Sequence, residues 1–133
     1  MGSSRVIVGA GMSGICTAAK LKRAGIRFTI LEKNDAVWGT WYENRYPDCG
    51  VDTPNHFYSF SFMRNPNWSG YYSKRDELYE YFEKCTDQLD IRDNIKLRAE
   101  VTGMTFNVKR QSWTVDFSLE AGKKETVEAN IVV

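Results

Sequence analysis

A glycine-rich turn between an apolar run and a helix-like segment constrains the fold of this chain more than any other feature. The run Val6-Ile7-Val8 is β-branched and predicts a buried strand. It leads into Gly9-Ala10-Gly11-Met12-Ser13-Gly14, a Gly-x-Gly-x-x-Gly turn, and residues 13–24 predict the helix that follows. Residues 27–31 predict a second strand, with Glu32 at its carboxyl end. This order of elements predicts a βαβ unit that binds a dinucleotide.

Each glycine of the turn has a steric task. Gly9 permits the tight turn, Gly11 lets a pyrophosphate approach the backbone, and Gly14 allows close packing of the helix on the strand. A carboxylate at Glu32 would accept hydrogen bonds from a ribose 2′-OH and repel a 2′-phosphate. The residues therefore predict FAD or NAD, and not NADP, at this site. The alternative is an ordinary glycine turn followed by a solvated acid at a strand end.

Composition narrows the class of protein. Eighteen basic and seventeen acidic residues give a net charge of +1, which predicts no attraction to nucleic acid or anionic lipid. We find no apolar run of transmembrane length and no secretory signal, and we expect residues 1–4 to be an added leader outside the fold. The three widely spaced cysteines fit neither a disulfide framework nor a metal site, so we expect reduced thiols in a cytoplasmic protein.

Residues 33–72 form a long aromatic-rich segment with three prolines, which predicts an irregular, functional loop. A helix is predicted after this loop, and Ser73 with Asp76 forms a start that is similar to a capping box. Apolar residues recur along the helix at a spacing that predicts a buried stripe. The stripe consists of Leu78, Tyr81, Phe82, Cys85 and Leu89.

The remaining residues predict strands. Residues 95–97 predict a short strand that returns to the sheet, and three alternating runs follow it. Turns are predicted near 109–111 and 121–123, and residues 123–125 are expected to form a solvated turn. The last run ends at 131–133, as a final strand that rejoins the parallel sheet. The predicted fold class is therefore α/β, a Rossmann-type FAD/NAD(P)-binding fold whose parallel sheet carries helices and an antiparallel β-meander insertion.

One segment of the long loop is specific enough to indicate a family. It reads Trp38-Gly39-Thr40-Trp41-Tyr42-Glu43-Asn44-Arg45-Tyr46-Pro47, with Asp52 and then Tyr58 six residues later. This pattern closely resembles the flavin-contacting segment of Baeyer–Villiger monooxygenases. Residues 55–62 resemble the hydroxyacetophenone monooxygenase branch, and the resemblance extends over residues 6–133.

The resemblance implies cofactor contacts at particular positions. It implies that the FAD pyrophosphate is held by four residues of the turn, Gly9, Gly11, Ser13 and Gly14. It implies an adenosine end bound by Glu32 and Lys33 and by the backbone of Val101. It implies a flavin end lined by Gly39, Thr40, Trp41 and Tyr58.

The resemblance also implies a catalytic role for Asp52, which would lie on the flavin and orient an arginine of the NADPH domain. Alternatives stay open for these loop residues. Asp52 could be a turn residue after Gly50, and Trp41 and Tyr58 could be ordinary core aromatics. The single histidine, His56, is interpreted as a structural loop residue rather than a general base.

Three positions depart from the family pattern. Trp38 replaces the first glycine of a Gly-Gly pair, Asp48 follows Pro47 where glycine is usual, and Gly50 replaces a frequent arginine. One interpretation is that the turn glycine has moved two places along. An indole near the cofactor needs room, so Trp38 leaves the exact geometry of the flavin site open.

The resemblance implies a full-length enzyme in which NADPH reduces FAD and a peroxyflavin converts a ketone to an ester or lactone. Residues 5–133 are then an incomplete FAD-binding domain that is inactive alone, without the NADPH domain and the carboxyl-terminal part. We expect self-association through an exposed sheet edge at residues 131–133. The alternatives are a fragment of an N- or S-oxygenating flavin monooxygenase and a non-catalytic nucleotide-binding domain.

Overall fold

The computed structural model describes residues 4–133. Residues 1–3, which belong to the expected leader, lie outside the described residues. The helices and strands in chain order are β1 (Arg5–Val8), α1 (Met12–Arg23), β2 (Thr29–Leu31), α2 (Gly39–Glu43), α3 (Arg75–Gln88), β3 (Ile95–Lys96), β4 (Ala99–Asn107), β5 (Ser112–Leu119), β6 (Lys124–Ala129) and β7 (Ile131–Val132).

A parallel sheet forms the centre of the fold, with strand order β3-β2-β1-β7. Val6 is opposite Thr29 on one side and Val132 on the other, and Ile30 is opposite Ile95. Val6 and Ile30 are fully buried because the sheet is covered on both faces. The predicted βαβ unit and the parallel return of the last run are confirmed, although the second strand begins at Thr29 rather than at residue 27.

The antiparallel meander β4-β5-β6 is also confirmed. Its apolar face packs against the parallel sheet through a small core. The buried members of this core are Val6, Leu31, Ala99, Val115, Phe117 and Ala129.

The prediction of a solvated turn at residues 123–125 is wrong for its last two residues. Lys124 and Glu125 lie in β6 and pair with β5. The Glu125 carboxylate also accepts hydrogen bonds from Lys96 at 2.5 Å and from Lys123 at 2.8 Å. The first of these ion pairs joins the meander to β3, which local sequence cannot show.

The helix α3 supplies the larger core. Four residues of its predicted stripe are buried, and Leu89 is partly buried beside them. The predicted capping role of Ser73 is wrong, because Lys74 is the N-cap residue and no side chain caps it. The Ser73 hydroxyl instead donates to Glu77 at 2.7 Å.

The long loop is irregular except for α2, so the prediction of no regular structure is wrong for residues 39–43. This helix has only five residues, and tertiary contacts rather than helical periodicity hold it. The loop encloses the aromatic part of the larger core, where Trp38, Phe60 and Phe82 are buried together.

Candidate dinucleotide-binding site

The glycine turn has the geometry that its three tasks require. Gly9 has a φ of +93°, which a side chain would disfavour. A Cβ at Gly14 would overlap the Gly9 carbonyl oxygen, so the helix packs this closely only with glycine there. A Cβ at Gly11 would meet nothing within 4 Å. The turn is therefore closed on the side of the strand and open at Gly11.

The amino terminus of α1 faces this opening. Its first intrahelical hydrogen bond runs from the Ile15 N–H to the Gly11 carbonyl at 3.0 Å. The amides of the first turn, including that of the exposed Ser13, precede this bond and have no intrahelical acceptor. The first turn contains no acidic side chain. The helix end is thus suited to a phosphate.

Glu32 is buried, with 3% of its surface exposed, so it is not a solvated strand end. One carboxylate oxygen accepts from the Ala10 N–H at 2.6 Å, and the other accepts from the Asn34 N–H at 2.9 Å. The acid therefore holds the glycine turn against the end of β2. Each carboxylate oxygen keeps a second lone pair, so the group can still accept a hydrogen bond from a ligand hydroxyl.

The start of β4 lies beside Glu32. The Ala99 N–H donates to the Glu32 carbonyl at 2.8 Å, and Val101 follows two residues later on the same face of the strand. Lys33 is exposed and forms an ion pair with Glu43 at 2.9 Å. The hydrogen bond from the Lys33 ammonium to the Glu43 carboxylate raises the pKa of Lys33. The three residues expected at the adenosine end are therefore grouped around the end of β2.

The helix α2 joins the glycine turn from the other side. The Trp38 N–H donates to the Ala10 carbonyl at 2.9 Å, which places Gly39 and Thr40 directly after a residue bound to the turn. Gly39 has a positive φ of +33°, and Thr40 is exposed. Glu32, at the predicted adenosine end, and Trp38, before the predicted flavin end, thus both bind Ala10 of the glycine turn.

Trp41 and Tyr58 are neighbours although 17 residues separate them. The Trp41 Nε1–H donates to the Tyr58 hydroxyl at 3.3 Å, and the two rings meet edge to face. Trp41 belongs to the buried core, and Tyr58 packs against that core. Both residues therefore have the core position of the alternative interpretation, Trp41 as part of α2 and Tyr58 in contact with it.

Trp38 places its side chain in the core rather than at the surface of the loop. Its indole is 1% exposed and points into the larger core, where it stacks on Phe82. Its backbone has a φ of +81°, in the left-handed region that glycine adopts easily. Trp38 therefore has the backbone conformation that favours glycine, while its side chain lies in the core.

The interpretation that the turn glycine moved from position 48 to position 50 is wrong. Asp48 itself has a φ of +67°, so it adopts the conformation that glycine usually takes. Gly50 has a different task, because a Cβ there would lie 2.7 Å from the Ser73 carbonyl oxygen. Gly50 forms an isolated β-bridge with Lys74, which requires a close approach of the two backbones.

Asp52 and His56 remain at the surface of the loop. Asp52 is exposed, and its carboxylate accepts a hydrogen bond from the Thr53 hydroxyl at 3.3 Å. His56 is exposed as well, and its carbonyl accepts a hydrogen bond from Ser59. Within residues 4–133, neither side chain forms a hydrogen bond or ion pair with the glycine turn.

Sequence reasoning missed Arg75. Its Nε–H donates to the Trp41 carbonyl at 2.6 Å, and its own backbone N–H donates to the Cys49 carbonyl at 2.8 Å. Arg75 therefore ties α3 to α2. No local pattern could have indicated this, because 34 residues separate Arg75 from Trp41.

Thiols, metal ligands and membrane spans can be assessed for residues 4–133, which the structure describes. Cys16, Cys49 and Cys85 are free thiols, as predicted. Within this range no group of three or more His, Cys, Asp or Glu side chains is placed to hold a metal ion. No helix in the same range is long and apolar enough to cross a membrane.

An open glycine turn, a helix end without acidic residues and a buried acid at the next strand end define a dinucleotide-binding domain of the Rossmann type. Comparison with known proteins agrees. Residues 7–75, just over half of the chain, match the NAD(P)-binding Rossmann-like domain family. The chain belongs to this family.

Similar proteins are flavin-dependent monooxygenases. A Baeyer–Villiger monooxygenase of Streptomyces coelicolor is 34% identical over 96% of this chain and 24% of its own length. A variant of cyclohexanone monooxygenase from Rhodococcus sp. Phi1, bound to NADP+, superposes with a TM-score of 0.88 at 33% identity, over 98% of this chain and 25% of that chain. OTEMO in complex with FAD and NADP superposes with the same TM-score at 28% identity, over 98% of this chain and 24% of that chain.

The chain spans only about a fifth to a quarter of the length of these relatives. The similarity nevertheless covers almost every residue of this chain, including the meander. The family-level resemblance of the long loop to Baeyer–Villiger monooxygenases is therefore confirmed, whereas the similar proteins do not distinguish the hydroxyacetophenone branch.

Proposed function

We propose that residues 5–133 form the FAD-binding part of an NADPH- and O2-dependent Baeyer–Villiger monooxygenase that converts ketones to esters or lactones. One observation carries the proposal: the buried Glu32 carboxylate locks an open glycine turn between the start of β4 and the helix α2. In this arrangement the glycine turn would bind the pyrophosphate, with the adenosine toward β4 and the flavin toward α2.

The residues divide between the two ends of FAD. The pyrophosphate would lie at Gly9, Gly11, Ser13 and Gly14. The adenosine would lie at Glu32, Lys33 and the Val101 backbone. The flavin would lie at Gly39, Thr40, Trp41 and Tyr58, with Asp52 as the catalytic residue that orients an arginine from outside this chain.

Bound FAD supplies the redox chemistry, while the protein binds and orients it. Glu32 would accept hydrogen bonds from ribose hydroxyls, and the first turn of α1 would hold the pyrophosphate. Trp41 and Tyr58, which contact each other edge to face, would line one side of the flavin. Since the chain spans a quarter or less of its relatives, we expect it to bind cofactor and not to catalyse alone.

We also infer two finer points. Residues 55–62 support membership of the hydroxyacetophenone monooxygenase-like branch. The three free thiols support a cytoplasmic location.

Calorimetric titration of the chain with FAD and with ADP tests the proposal, together with the absorbance spectrum of the protein after gel filtration. We expect both ligands to bind and oxidised flavin bands to elute with the protein. ADP binding without FAD binding would favour a non-catalytic nucleotide-binding domain. Failure of both ligands to bind would contradict the proposal.

A further inference from the structure

Asn55 is a buried polar residue at the centre of the loop that carries the proposed flavin contacts. Only 1% of its surface is exposed. Its Nδ2–H donates to the Gly70 carbonyl at 2.8 Å, and its Oδ1 accepts from the Ser73 N–H at 2.8 Å. Its backbone N–H donates to the Tyr71 carbonyl at 3.0 Å. Asn55 therefore joins its own part of the loop to residues 69–73.

Residues 69–73, which we name the platform, are fixed to α3 in turn. One Glu77 oxygen accepts from the Ser69 N–H at 2.7 Å, and the other accepts from the Ser69 and Ser73 hydroxyls at 2.9 and 2.7 Å. Burial acts to raise the pKa of Glu77, but these hydrogen bonds outweigh it and lower the pKa. The ionised Glu77 thus holds the platform in one place.

The position of Asn55 in the chain gives this attachment its importance. It lies three residues after Asp52 and three residues before Tyr58, the two loop residues expected at the flavin. The Tyr58 N–H donates to the Pro54 carbonyl at 3.1 Å, so the turn around Asn55 determines where Tyr58 leaves the loop. A shift of Asn55 would therefore displace the residues on both sides of it.

The adenosine end has a separate set of supports. It depends on the carboxylate of Glu32, on the glycine turn and on the hydrogen bond between Ala99 and Glu32. None of these recorded contacts involves Asn55 or the platform. Buried polar groups whose hydrogen bonds are all satisfied specify one local arrangement. The hydrogen bonds of Asn55 therefore specify the arrangement of the loop that carries Asp52 and Tyr58 at the proposed flavin end.

We propose that Asn55 is a positioning residue of the flavin end, which holds Asp52 and Tyr58 in place by binding the platform. The inference rests on the proposed FAD-binding function. It separates the two ends of the site, because loss of the Asn55 side chain should weaken contacts to the flavin and leave contacts to the adenosine unchanged.

Asn55→Ala in the whole chain tests this, with the exposed Asn67→Ala of the same loop as matched control. Dissociation constants for FAD and ADP are measured by calorimetry, and the visible circular dichroism of bound FAD reports the flavin environment. We expect Asn55→Ala to weaken FAD binding at least tenfold, to change ADP binding less than twofold and to alter the flavin dichroism. The control should match the parent in all three. Equal losses for both ligands, or unchanged FAD binding, would overturn the inference.

Asn55→Asp adds a readout that a merely structural role would not move. A protonated carboxyl can donate to the Gly70 carbonyl and accept from the Ser73 N–H, whereas the ionised form places a negative charge against that carbonyl. Burial raises the pKa of a carboxyl group, so the aspartate at position 55 should become protonated as the pH falls. We expect FAD affinity, relative to the parent, to recover between pH 8 and pH 5, with no such recovery for ADP. A ratio that does not change with pH would contradict the proposal.

The outcomes separate this inference from the function on which it rests. If the parent binds neither ADP nor FAD, the proposed function fails, and the role of Asn55 toward the flavin fails with it. Hydrogen exchange then still decides the attachment: the backbone amides at positions 55 and 73 should exchange at least tenfold faster in Asn55→Ala than in the parent. If the parent binds FAD and Asn55→Ala binds it equally well, only the inference fails.

Discussion

The Trp38 indole stacks on the Phe82 ring, with the ring centroids 4.3 Å apart and the planes inclined by 16°. This contact joins the residue before α2 to the middle of α3. It also explains how a bulky residue occupies a position with a φ of +81°. Burial of a large aromatic ring stabilises the fold by more than the left-handed backbone conformation destabilises it.

Substitutions at position 38 separate these two effects. Trp38→Ala removes the ring but keeps a side chain at positive φ, and we expect it to lower the free energy of unfolding by roughly 3–5 kcal/mol. Trp38→Gly also removes the ring but relieves the backbone, so it should be about 1 kcal/mol more stable than the alanine variant. Urea denaturation measures both. An alanine variant as stable as the glycine variant would show that the backbone at this position is unstrained.

Removal of the Glu32 carboxylate should weaken nucleotide binding. A hydrogen bond to a charged group contributes roughly 1.5–3 kcal/mol, so Glu32→Ala should reduce affinity for ADP at least tenfold. Calorimetry with ADP measures this loss, and Glu80→Ala, which removes an exposed carboxylate from α3, is the control for charge. Equal affinity of Glu32→Ala and the parent would refute the assignment of Glu32 to the ribose.

The glycines at positions 11 and 14 should respond differently to alanine. Gly11 has a φ of −80°, and a Cβ there meets nothing, so Gly11→Ala should keep stability within about 0.5 kcal/mol while lowering ADP affinity at least tenfold. Gly14→Ala should instead lower stability by roughly 2–3 kcal/mol, because its Cβ overlaps the Gly9 carbonyl oxygen. Thermal unfolding and calorimetry give the two quantities. Unchanged ADP affinity in Gly11→Ala would place the pyrophosphate elsewhere.

Acid should weaken the connection between the meander and the parallel sheet. Hydrogen bonds from Lys123 and Lys96 lower the pKa of Glu125 to about 2, against an ordinary value of 4.5. A depressed pKa in the folded state means that this contribution to stability is present above about pH 4.5 and is lost as pH falls toward 2. The melting temperature of the parent should therefore fall more steeply across this range than that of Glu125→Gln. Parallel curves for the two proteins would contradict this prediction.

Self-association through the sheet edge remains a prediction. β7 lies at one end of the sheet order, and Ile131 and Val133 are 49% and 55% exposed. Exposed strand edges with apolar side chains promote pairing with another chain. We expect light scattering to detect dimers or larger species at high concentration, and Ile131→Lys to reduce them. Thr105→Lys, on the exposed part of β4, controls for added charge. A monomeric parent at every concentration would be inconsistent with this surface.

The fold was predictable where local pattern and global structure agree. The β-branched run of β1 and the alternating residues of β5 indicate strands, and the spaced apolar residues of α3 indicate a helix. The glycine turn and Glu32 were recognisable because their spacing follows from the chemistry of a pyrophosphate and a ribose. These features depend on residues close together in the chain.

The interior of the long loop was not predictable in the same way. Trp38 contacts Phe82, Asn55 binds Gly70, and Arg75 binds Trp41. The two members of each pair lie 15 to 44 residues apart along the chain, and no periodic pattern connects them. The residues that follow Trp38 are predicted to contact the flavin, yet the Trp38 backbone is left-handed and its indole lies in the core. Long loops follow tertiary contacts, which a single sequence does not specify position by position.

Asp48 and Gly50 have different structural roles, and this difference affects how relatives should be aligned with this chain. Placing Gly50 on the glycine that follows the Tyr-Pro pair in the family pattern would require a gap of two residues. That gap would be wrong, because Asp48 occupies the glycine's backbone conformation and Gly50 serves a separate contact with α3. A gapless alignment keeps Asp52 and Tyr58 in register with their counterparts, and homology models of related chains should preserve it.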